Sequence, residues 1–165
     1  MREDEIYLLT KQWVVNQELH VLGGQPPNGT DRFPVIEIKS DEISEKGSRA
    51  SYKPDLIVAT SDRLLIIECK PQFNFEDVSK LKEIAGSVPR LEAFVGELRQ
   101  RRSLERRNHS LSQLSDRELI SRIRFCVAYS GEHHPVPNMY SLVFSPDGST
   151  SSLYFGDSIA EKVSN

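Results

Sequence analysis

The chain has 165 residues, 38% of them hydrophobic and 27% charged, with a formal net charge of −3 at pH 7. That length fits one domain, taken as 1–165, with a real core, and the composition is ordinary for a soluble globular protein. The small negative charge excludes a uniformly basic nucleic-acid binder but not a local basic field, and no apolar run approaches the roughly 20 residues of a membrane span.

The opening MREDEIYLL is too acidic for a signal peptide. The two cysteines, Cys69 and Cys126, lie in apolar runs, so the expectation is two buried reduced thiols in a cytoplasmic protein with no contact to a membrane. Residues 4–22 read as a helix, apolar nearly all round through Ile6, Leu9, Trp13, Val14 and Leu19, and closed by Gly23 and Gly24. A turn-rich loop runs from Gln25 to Gly29. Phe33 to Lys39 (FPVIEIK) has strand character, and residues 40–51 read as a charged loop. Two short runs rich in Leu, Ile and Val follow, Asp55 to Thr60 and Arg63 to Lys70.

After Pro71, Asn74 is an N-cap candidate with Glu76 and Asp77 in the first turn, and Val78, Leu81, Ile84 and Ala85 make one helical face. Pro89 restarts a helix carrying Leu91, Phe94, Val95 and Leu98. Ile123 to Tyr129 alternates as a strand. Met139 to Ser145 and Ser151 to Phe155 flank Pro146, Asp147 and Gly148, a hairpin signal. The order predicts an α/β domain of α+β character, with a mixed, partly antiparallel central sheet flanked by helices.

The two runs at 55–70 carry the chemistry. Side chains alternate along a strand, so Glu68 and Lys70 share a face with Leu64 and Ile66, and Asp55 shares one with Ile57 and Ala59. With Ser61 and Asp62 as the loop, residue 59 pairs with 64, 57 with 66 and 55 with 68. Asp55 then faces Glu68 with Cβ atoms roughly 5 Å apart, and two like charges there repel. A divalent cation between them reverses the sign. Mg²⁺ prefers one or two carboxylates plus water and phosphate oxygens. Lys70, about 7 Å further along the same face, is in reach of a water or a phosphate. Such a set suits metal-assisted phosphodiester hydrolysis.

Pro54-Asp55 followed by Glu68-Cys69-Lys70 resembles the PD-(D/E)xK signature of the restriction-endonuclease-like nuclease superfamily. The preceding helix, the strand ahead of the hairpin and the amphipathic helix after Lys70 follow the order of that family's core. The resemblance implies a restriction-endonuclease-like core and a DNA endonuclease that uses Mg²⁺, with Mn²⁺ as a substitute. It implies that Asp55 and Glu68 bind the metal, with the Cys69 carbonyl as a backbone ligand, and that Lys70 positions the water or stabilises developing charge. An acid from the first helix completes the set in many members; Glu18 is the first candidate and Glu5 the second. The resemblance further implies DNA as the partner, with specificity supplied by loops, a homodimer or a partner subunit.

Other readings stand beside these. A non-catalytic DNA-binding or assembly module that kept the fold is one, and a nuclease acting on RNA or a nucleotide hydrolase is another. Glu37 and Lys39 form a second Glu-x-Lys, but without an acid across a hairpin upstream they read as an outward strand pair. His133 and His134 lack partners at a zinc spacing. The basic stretch Arg99, Arg101, Arg102, Arg106 and Arg107 is either a phosphate-binding surface or a solvated helix end.

Overall fold

The computed structural model describes residues 1–27, 29, 31–39 and 51–164. Helix α1, Glu3–Asn16, starts on three acids, Glu3, Asp4 and Glu5, that complement its positive end. The Arg2 backbone N–H donates to Glu5 at 2.6 Å. Its buried face is Ile6, Tyr7, Thr10 and Val14, at helical spacing. The expected helix over 4–22 therefore stops at Asn16. Glu18 adopts a left-handed φ of 57° and turns the chain back. His20–Gly23 is strand β1, antiparallel to strand β2, Leu56–Ala59. Local periodicity lost here to a non-local partner, because pairing with β2 satisfies the backbone of these residues.

β2 pairs with β3, Leu64–Cys69, in the expected register: Ala59 opposite Leu64, Ile57 opposite Ile66, Leu56 opposite Ile67. β3 then runs parallel to β4, Ile123–Ser130, and β4 parallel to β5, Tyr140–Phe144. β6, Ser151–Phe155, closes the expected hairpin on β5, and the two-residue β7, Ser158–Ile159, follows it. Among the described residues the mixed sheet thus has seven strands in chain order. β2 and β3 are buried along their whole lengths, which is why they read as unbroken apolar runs.

The crossover from β3 to β4 holds the remaining helices: α2, Phe75–Ala85; α3, Val88–Arg101; two 3₁₀ turns, Glu105–Arg107 and Ser110–Gln113; and α4, Asp116–Ser121. Asn74 caps α2 as expected, accepting the Glu76 N–H at 2.8 Å. Ser115 caps α4, its hydroxyl accepting the Glu118 N–H at 3.2 Å; this Ser-x-x-Glu was a legible start signal. α1 covers one sheet face, packing Ile6, Tyr7 and Val14 with Leu65, Ile67, Cys69 and Cys126. α2 and α3 cover the other, where Leu81, Ile84, Phe94 and Leu98 join Ile57, Ile66 and Phe125. Both cysteines are buried and free.

Residues 33–39 form no extended strand. Ile36 and Ile38 insert into the core, and one antiparallel bridge joins Ile38 to Tyr52. β1 holds the β2 edge that such a strand would need. The loop expected over 40–51 lies, up to residue 50, outside the described residues. Among the described residues no helix is long and apolar enough to cross a membrane.

Gly24 serves the hairpin rather than a helix end. A Cβ on it would lie 2.3 Å from the Asp55 carbonyl oxygen, so only glycine lets the backbone pass this close. Gly24→Ala is expected to lower the unfolding free energy by about 1–3 kcal/mol, as overpacking does. Gly96→Ala, in α3 with nothing within 4 Å of the added Cβ, is expected to raise it by about 0.5–1 kcal/mol. Urea unfolding of both variants checks the pair; a Gly24→Ala protein as stable as the parent would refute the close approach.

Candidate functional site

The register of β2 and β3 ends at Leu56 and Ile67, and Asp55 and Glu68 occupy the next rung on the face shared with Ile57 and Ile66. Each acid is only 7% exposed. Asp55 Oδ2 accepts the Cys69 backbone N–H at 2.7 Å. The Tyr52 hydroxyl donates to Glu68 Oε2. Glu68 Oε1 lies 3.3 Å from the Lys70 ammonium, which also meets Glu3 Oε1 of α1 at 3.4 Å. One oxygen of Asp55 is thereby tied to the backbone, whereas Glu68 has Oε2 on Tyr52 and Oε1 beside the Lys70 ammonium.

Backbone direction explains the Cys69 position. The Lys70 N–H donates to Ala128 on the β4 side, whereas the Cys69 N–H points to the β2 side. The N–H and C=O of one strand residue point to the same edge, so the Cys69 carbonyl faces the Asp55 side. Its thiol goes to the opposite face, packed on α1 within 3.7 Å of the Thr10 hydroxyl, and burial pushes its pKa well up. This sulfur is inert.

The electrostatics follow from crowding. Burial, then the charge of Glu68, pushes the Asp55 pKa up to about 8, against the opposing pull of the Cys69 N–H and Lys70. Burial alone would lower the pKa of Lys70; the charges of Glu68, Asp77 and Glu3 outweigh it and hold the ammonium above its usual range. Around one ammonium stand Asp55, Glu68, Glu3 and Asp77, a net negative cluster that favours a cation.

Among the described residues no three His, Cys, Asp or Glu side chains group as metal ligands. Two carboxylates and a backbone carbonyl still match Mg²⁺, which usually keeps several waters. The expected third acid is elsewhere. Glu18 lies beyond the end of α1, lining a hollow with Trp13, Thr60 and Ser61 at the turn end of the hairpin, away from the Asp55 end. Glu5 lies with Leu8, Leu9 and Pro146 on another flank. Glu3 is the acid of α1 that reaches the site, because α1 presents its N-terminus to the Lys70 end and a helix of fourteen residues is about 21 Å long. Tyr52 was also missed, since an isolated tyrosine after a charged loop carries no pattern. Glu37 and Lys39 stay outside the core while Ile36 and Ile38 are buried, as expected of an outward pair.

The basic stretch divides. Arg99 is committed to the protein: it donates to Asp116 at 3.1 Å, to Glu105 at 3.1 Å, to the Ser112 carbonyl at 3.0 Å and to the Leu114 carbonyl. It ties α3 to the segment before α4, which corrects its expected role as a DNA contact. Arg107 donates to the Ser103 and Val21 carbonyls, and Arg101 pairs with Glu97 at 2.8 Å. Arg101, Arg106 and Arg107 nevertheless line one hollow with Leu22 and Pro34. That hollow adjoins the end of β1 leading to Asp55, since the Pro34 carbonyl accepts the Gly24 N–H at 3.0 Å. Arg102, exposed, caps α3 in the left-handed region at φ 54°. His133 stacks on Tyr154 at 3.7 Å and His134 on Phe73 at 4.6 Å, so both rings serve packing.

No protein-family model matches this chain, and neither does any curated protein or solved structure.

The raised pKa of Asp55 has a definite sign. The native carboxyl holds its proton to about pH 8, while the unfolded one loses it near the ordinary aspartate value of 3.8. Its contribution to stability is full below the unfolded value and is lost as pH rises through the folded one. Asp55→Asn, whose Oδ1 can still accept the Cys69 N–H, is therefore expected to be more stable than the parent at pH 8 in EDTA, with the gap narrowing at pH 5. Chemical denaturation at the two pH values checks this, and a gap independent of pH counts against a desolvated Asp55 charge.

Proposed function

We propose that this chain is a Mg²⁺-dependent DNA endonuclease of the PD-(D/E)xK type, with Asp55, Glu68 and Lys70 as its catalytic residues. One observation carries the reading: two buried carboxylates on adjacent strands, at one rung and on one face, with a lysine ammonium 3.3 Å from the second. The elements around that rung support it, namely a helix on one face, a β2–β3 hairpin, and a parallel β3–β4 pair crossing over through helices.

In this reading Asp55, Glu68 and the Cys69 carbonyl would hold the ion. Mg²⁺, or Mn²⁺ in its place, supplies Lewis-acid charge and a more acidic water when bound. The chain's own residues do the rest. Glu3 and Glu68 hold the Lys70 ammonium from two sides, so it is fixed where it can orient the attacking water or offset charge building on the phosphate. Burial of both acids keeps bulk water from screening these interactions. The duplex backbone lies along the hollow of Arg101, Arg106 and Arg107, beside the β1 strand that leads to Asp55. Sequence specificity comes from loops or from a second chain, as homodimer or partner subunit.

Supercoiled DNA incubated with Mg²⁺ is expected to be nicked or linearised, and EDTA to stop this. Lys70→Ala should lower the rate by about 10²–10³-fold, the range for loss of one group stabilising transition-state charge. Asp55→Ala and Glu68→Ala should abolish it with circular dichroism unchanged, while Glu37→Ala cleaves normally. Activity lost in Glu37→Ala and kept in Glu68→Ala would move the site.

The basic hollow is tested apart from cleavage. Replacing Arg101, Arg106 and Arg107 with Gln is expected to flatten the dependence of log affinity on log salt, by roughly 0.9 per lost duplex contact. Arg99→Gln should leave that slope alone and lower stability by about 1–3 kcal/mol, because its acceptors lose their donor. An unchanged slope in the triple variant would return this stretch to a solvated helix end.

A further inference from the structure

Tyr52 is built to be immobile. It is 2% exposed, and its N–H and C=O both bond Ile38, at 2.9 and 2.7 Å. The Lys80 ammonium stands 4.5 Å from the ring centroid. A buried tyrosine hydroxyl needs a partner, and an apolar core offers many ways to avoid placing one there. Here the partner is a carboxylate of the candidate cation site, and specifically the oxygen turned away from Lys70: Oε2 takes the hydroxyl while Oε1 faces the ammonium.

We propose that Tyr52 is a positioning residue that restricts Glu68 to one-oxygen metal binding and so biases the site toward Mg²⁺ over Ca²⁺. The inference rests on the metal-site reading above. Ca²⁺ takes six to eight oxygens and accepts a carboxylate through both of them, whereas Mg²⁺ requires near-octahedral geometry at short distance and takes few protein oxygens. A Glu68 with Oε2 engaged by Tyr52 offers at most Oε1, which it shares with the Lys70 ammonium, and suits the smaller ion. The same restraint acts on Asp55, whose Oδ2 is held by the Cys69 N–H. That donor belongs to the backbone and no side-chain change removes it; the donor on Glu68 is a side chain and can be altered by one atom.

Tyr52→Phe keeps the ring, its packing and its cation contact, and deletes the hydroxyl alone. Calorimetric titration of Mg²⁺ and Ca²⁺ into EDTA-stripped wild type and variant reads the ratio of the two dissociation constants. The expected result is a shift of that ratio toward Ca²⁺ by about tenfold in the variant. A purely structural loosening would weaken both ions alike, and an unchanged ratio overturns the proposal. Infrared spectra of the Ca²⁺-loaded wild type give a second reading that needs no variant. A wide separation of the asymmetric and symmetric carboxylate stretches is expected for one-oxygen binding, and a narrow, two-oxygen separation overturns the proposal. Wild type that binds neither ion overturns the metal-site reading and this inference with it, an outcome distinct from an unchanged ratio.

Discussion

Two carboxylates at adjacent places on neighbouring strands cannot separate while the β2–β3 register holds. At a rung spacing of about 5 Å and an effective dielectric of about 20, their repulsion is about 3 kcal/mol if both are ionised. Besides the Lys70 ammonium next to Glu68, each has one strong donor, the Cys69 N–H for Asp55 and the Tyr52 hydroxyl for Glu68. Hydrogen bonds to charged groups contribute about 1.5–3 kcal/mol each, so the two together offset the repulsion. Desolvation is left over, and it is what keeps a proton on Asp55 well above the usual carboxylate range. Much of the nearby architecture serves this rung. Gly24 lets β1 pass the Asp55 carbonyl, Glu3 brings α1 to Lys70, and the Ile38 bridge fixes Tyr52.

What could be read in the sequence was what local chemistry determines. The even loop between Ala59 and Leu64 and the alternation on either side sufficed for the register, and with it the shared face of Asp55, Glu68 and Lys70. Asn74 ahead of two acids marked the start of α2. What could not be read depends on distant partners. Leu19, Val21 and Leu22 continue a helical apolar pattern equally well, and only the open edge of β2, far along the chain, makes them a strand and its approach. FPVIEIK has the alternation of a strand, yet with that edge taken it keeps one bridge. The misplaced third acid follows from the same error: a helix drawn to residue 22 brings Glu18 into play, whereas a helix ending at Asn16 leaves it at the far end of the sheet.

Charge density shows the same limit. Five arginines between 99 and 107 look alike in one dimension. In space one has its fork spent on two carboxylates and two carbonyls, another hangs on the β1 edge, and others remain at the surface. A guanidinium that locks a helix junction and one that meets solvent have the same letter but different duties, and acceptors as remote as Asp116 and Val21 decide between them.

The strands of the sheet lie side by side in the order in which the chain presents them, β1 to β7. No strand must be threaded between two already paired, so the sheet can grow by accretion during synthesis, each new strand docking on the edge left by the one before. The slow step is then the crossover between β3 and β4, whose helices must fold back before the parallel pair can form. Until that moment β3 is itself an edge, carrying Glu68 at its end. The charge there guards an otherwise apolar strand against pairing with a neighbouring nascent chain.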